Sequence, residues 1–61
     1  MTPREDLEYQ AEAQLGEARA LITKALRYSR IGRDVRASYI LSDAISAITS
    51  AKILYMKAGS K

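Results

Sequence analysis

Residues 25–44, ALRYSRIGRDVRASYILSDA, decide the fold. Helical periodicity runs into this stretch, breaks at Ile31-Gly32-Arg33-Asp34, and resumes from Val35. Gly32 tolerates the left-handed conformation that closes a helix, and Asp34 can cap the next one. The break therefore predicts a tight turn between two helices of similar length, and so short a connection requires them to lie antiparallel.

Working back from the turn, Thr2-Pro3-Arg4-Glu5 predicts the start of the first helix. Thr2 can cap, Pro3 suits the first helical position, and Glu5 completes a capping box. Asp6, Glu8 and Glu12 put negative charge at the positive end of the macrodipole, while Lys24, Arg27 and Arg30 sit at the other end, where cations are favoured. On a wheel of about 100° per residue, Leu7, Ala11, Leu15, Ala18, Leu21, Ile22, Ala25 and Leu26 share a face, and charged residues surround the rest. Working forward, the second helix ends before Gly59, with Lys57 in its last turn. The expected fold is all-α: an antiparallel two-helix hairpin, about 3–31 and 34–58, in a single domain over 1–61. No strand signal competes, because the β-branched residues fall at helical spacing.

Alanine recurs every seven residues in both helices, at Ala11, Ala18 and Ala25 and again at Ala37, Ala44, Ala51 and Ala58. Seven-residue spacing holds one seam of a left-handed supercoil, and a small side chain there lets two backbones approach closely. The pairs Ala11 with Ala51, Ala18 with Ala44 and Ala25 with Ala37 form three antiparallel layers.

The second helix has a wide apolar arc, and between Ala37 and Ala51 its only charged side chain is Asp43. One partner helix cannot cover that arc. Ile40, Ile45, Ala47, Ile48, Leu54 and Tyr55 are therefore the candidate oligomer or partner surface, and two hairpins side by side would make a four-helix bundle. Ser38, Ser42, Ser46 and Ser50, four apart, form either a solvated face or a second contact surface whose hydroxyls bond back to backbone carbonyls.

The chain has 61 residues and a formal net charge of +3, and a domain of that size buries only about 60% of the surface its unfolded form exposes. Cysteine and histidine are both absent, so there is no disulfide framework, no thiolate chemistry and no imidazole for acid–base work or metal ligation. Glu8 and Glu12 lie one turn apart without a third convergent ligand, no glycine loop cradles a phosphate, and no nucleophile stands beside a base. The expectation is a non-enzyme with no catalytic residues, cofactor, metal or small-molecule substrate.

Ala37 to Met56 is the one stretch apolar enough to suggest a membrane span, but Asp43 and Lys52 would each cost ~2.5–3.5 kcal/mol at bilayer depth. The chain begins without a basic, apolar leader, which points to a cytoplasmic protein.

Charge is polarised. Glu5, Asp6, Glu8, Glu12 and Glu17 crowd the first third, and Arg19, Lys24, Arg27, Arg30, Arg33 and Arg36 crowd the region of the turn. Lys24, Arg27, Arg30, Arg33 and Arg36, with Tyr28 and Tyr39 as stacking platforms, are candidate RNA- or DNA-binding residues. The alternative is that a neighbouring chain's acidic start neutralises them. In length and layout, though in no residue motif, the chain resembles the small RNA-binding plasmid copy-control hairpins of the Rop type, which implies an antiparallel dimer of hairpins. Two functions follow as expectations: an assembly or adaptor module that packs helix on helix with itself or a protein partner, and a dimeric nucleic-acid-binding regulator that uses the basic tip.

Overall fold

In a computed structural model of the chain, which describes residues 2–60, two helices pack against each other as a hairpin. The first, α1, spans Pro3–Arg30, and the second, α2, spans Asp34–Gly59. No residue among those described is in a strand. The hairpin is a rod 46 Å long, with a radius of gyration of 14.1 Å against about 10.5 Å for a compact domain of this length.

The start of α1 follows from its sequence. The Thr2 hydroxyl accepts from the Glu5 N–H at 3.1 Å and donates to the Glu5 carboxylate at 3.1 Å, so the capping pair closes through the hydroxyl on both sides. The Gln10 amide donates to the Asp6 carboxylate at 2.9 Å one turn further on.

Three residues make the turn. Gly32 has φ +78°, the left-handed region that its missing Cβ makes accessible. The Gly32 N–H donates to the Ser29 carbonyl at 3.0 Å and the Arg33 N–H to the Tyr28 carbonyl at 2.9 Å, which together form a Schellman closure of α1. The Arg33 carbonyl then accepts from the Ala37 N–H at 3.0 Å, the first bond of α2. Arg33 thus ends one helix through its N–H and begins the next through its C=O. This corrects the expectation for Asp34: it is the first residue of α2, not its cap, and no side chain caps that helix. Its carboxylate still lies in the first turn, where the macrodipole favours it.

The interface between the helices is made of alanine. Ala11, Ala18, Ala25, Ala37, Ala44 and Ala51 are all buried, with Ala11 fully so, and Ala25 packs with Ala37 and Ile40 next to the turn. Among the described residues, Ile40 is the only buried one larger than alanine. Methyl groups on both helices set a close approach, and that approach leaves no room to bury larger side chains between them.

Candidate interaction surfaces

Because the seam is narrow, the larger apolar residues fall on either side of it, and the two sides differ. On one side Leu21 and Tyr28 of α1 pack half-buried against the Ala25, Ala37 and Ile40 cluster. Leu7 and Leu54, further toward the open end, are also half-buried, and Ala47 is buried. Polar residues edge this side, where Gln14, Glu17, Asp43 and Ser50 border one shallow groove with Leu21 and Ala47.

On the other side Ile22 and Leu26 of α1 and Leu41 of α2 line a cleft together with Ser29, Asp34 and Ser38. One heptad toward the open end, the same register brings Leu15 level with Ile48. Leu15, Ile22, Leu26, Leu41, Ile45, Ile48 and Tyr55 each keep between 41% and 63% of their surface exposed. They form one apolar face along the hairpin.

The structure thus divides the residues expected to form a partner surface. Ile45, Ile48 and Tyr55 lie on the exposed face, whereas Ile40, Ala47 and Leu54 turn to the closed side and serve the hairpin itself. It adds Leu15, Ile22, Leu26 and Leu41 to the exposed set. The same division splits the single apolar face expected of α1, sending Leu7 and Leu21 to one side and Leu15, Ile22 and Leu26 to the other.

The hydroxyl residues of α2 run from Ser38, in the exposed cleft, round the outer surface of the helix to Ser46 and Ser50, which border the groove on the closed side. Ser38 donates to the Val35 carbonyl at 2.8 Å, Ser42 to Ser38 at 3.3 Å, Ser46 to Ser42 at 3.3 Å and Thr49 to Ile45 at 2.9 Å. These four hydroxyl protons are committed to the helix's own backbone, so those residues can be covered without stranding a donor, whereas Ser50 makes no such bond.

The basic tip is also divided. Lys24 and Arg27 border a shallow depression with Tyr28 and Ile31, while Arg33 and Arg36 border another with Tyr39. The Arg36 guanidinium lies over the Tyr28 ring, 5.9 Å from its centroid, a cation–π contact joining the two helices. Arg30 lies on the edge of α1 beside the exposed apolar face, whereas Lys24 and Arg27 lie away from it, and Arg19 shares a depression with them. Among the described residues the one ion pair joins Arg4 to Glu8, at 3.2 Å. None of the five candidate phosphate-binding cations pairs with a carboxylate among the described residues.

No group of three or more acidic side chains that could hold a metal ion occurs among the described residues, and no helix among them is long and apolar enough to cross a membrane. Comparison of the chain with protein-family models, with curated proteins and with solved structures finds no match.

Proposed function

We propose that the chain is a non-enzymatic assembly module that works by packing helix on helix, with a second copy of itself as its first partner. The observation that carries this reading is its surface. The hairpin exposes 4867 Å², whereas a compact monomer of 6.8 kDa exposes about 4,000 Å². The excess, about 900 Å², matches the ~800 Å² that each partner contributes to a stable protein interface. Seven of the thirteen large apolar side chains left exposed among the described residues lie together on one face. Sedimentation tests the reading: the chain should associate, and its melting temperature should rise with concentration because folding and association are one equilibrium.

A second reading, a dimeric regulator that binds RNA or DNA, is favoured by Lys24, Arg27 and Arg36, which are grouped around Tyr28 on the side away from the apolar face. A partner covering that face would leave them free to follow phosphates. A gel-shift titration at low and moderate salt tests it. A steep loss of affinity with salt supports phosphate binding, and no shift at low salt removes the reading.

A further inference from the structure

The exposed face has a pattern that suits a two-fold axis. Leu15 and Ile22 stand on either side of Ala18 on α1, and Leu41 and Ile48 stand on either side of Ala44 on α2, with Ile45 beside the midpoint. An axis running across both helices at the Ala18 and Ala44 level sets Leu15 against Ile22 of a second copy and Leu41 against Ile48, as an isologous interface requires. An axis along the rod would instead set Leu15 against Ile48 and Ile22 against Leu41. The apolar pattern accepts both arrangements, and charge separates them.

The turn end carries Lys24, Arg27, Arg30, Arg33 and Arg36 against Asp34, while the open end carries Glu5, Asp6, Glu8, Glu12 and Glu17 against Arg4, Lys52 and Lys57, with Lys61 next in the sequence, and is close to neutral. Copies aligned tip to tip would crowd two cationic ends into a few Debye lengths of about 8 Å each. Copies running opposite ways keep the two cationic tips apart and place each beside the other's acidic cluster. The edge charges pair in either arrangement, Arg30 with Glu8 or with Asp34 of the second copy and Lys52 with Asp34 or with Glu12, so the choice rests on keeping the two cationic tips apart. Repulsion of this kind decides orientation more than it adds affinity.

We infer that two copies dock through the face of Leu15, Ile22, Leu41 and Ile48 in antiparallel orientation, each tip over the other's open end. The inference rests on the assembly reading, and a distance measurement separates failure of one from failure of the other. The chain has no cysteine, so Ile31→Cys, in the turn, carries a single spin label. Antiparallel docking predicts a label separation close to the 46 Å length of the rod. A separation well under half that length, in a chain that sediments as a dimer, overturns the orientation and leaves the assembly reading intact. A helical 6.8 kDa species at every concentration overturns both. Ser60→Cys, at the open end, repeats the test should the turn label disturb folding. Arg30→Glu should weaken the dimer about 2- to 5-fold, the range of an exposed ion pair, and mixing it with Glu8→Arg should restore pairing. No recovery on mixing contradicts the proposed contact.

Discussion

Ile22 of α1 and Leu41 of α2 line one cleft across the hairpin, and each keeps more than 40% of its surface in water. They flank the seam without closing it, because the alanines beneath hold the helices too close for either side chain to enter. A charge placed there tests whether a second copy covers the cleft. Ile22→Asp should raise the dissociation midpoint of the dimer more than tenfold, since an unpaired carboxylate would be buried in the interface. If the cleft faces only solvent, the substitution should leave the sedimentation profile unchanged.

Ala44 lies at the middle of the seam and is 2% exposed, so Ala44→Leu forces the helices apart. Overpacking of this kind typically costs ~1–3 kcal/mol, read as a lower midpoint in urea. Ala13→Leu, on the exposed surface of α1, should leave that midpoint nearly unchanged. Equal effects from the two would show that the seam does not hold the hairpin.

The glycines of α1 and of the turn should respond in opposite directions. A Cβ added at Gly16 meets nothing within 4 Å, so Gly16→Ala should stabilise by about 0.5–1 kcal/mol through better helix propensity. Gly32 has φ +78°, and Gly32→Ala should destabilise by ~1–2 kcal/mol because an L side chain is strained there. Thermal melts at one fixed concentration compare the two.

The break at Ile31-Gly32-Arg33-Asp34 and the alanine heptads make the hairpin legible in the sequence alone, and the helix ends fall within a residue of the expected ones. Asp34 was misleading because a cap needs a residue of its own. Here the turn is so short that Arg33 serves both helices. The exposed apolar face is legible in the sequence only in part. Ile40, Ile45, Ala47 and Ile48 all belong to the apolar arc of α2, and the arc alone does not say on which side of the seam each one falls. Packing against α1 decides that, taking Ile40 and Ala47 for the hairpin and leaving Ile45 and Ile48 outside.

For the nucleic-acid reading, the cations that a docked copy cannot reach matter most. Lys24→Gln with Arg27→Gln should leave the dimer intact and flatten the dependence of log affinity on log salt by ~0.7–0.9 per lost phosphate contact. Arg30→Gln, at the edge of the docking face, should act mainly on the dimer. If all three weaken binding equally without touching assembly, the division of the tip between two surfaces is wrong.

Sedimentation equilibrium over a wide concentration range, with helicity recorded on the same samples, tests the central claim most directly. An exposed surface about 900 Å² above that of a compact monomer predicts that helicity and mass rise together, reaching twice the 6.8 kDa chain mass as the face is covered. A fully helical, cooperatively melting 6.8 kDa species that persists unchanged from the lowest to the highest concentration would contradict it.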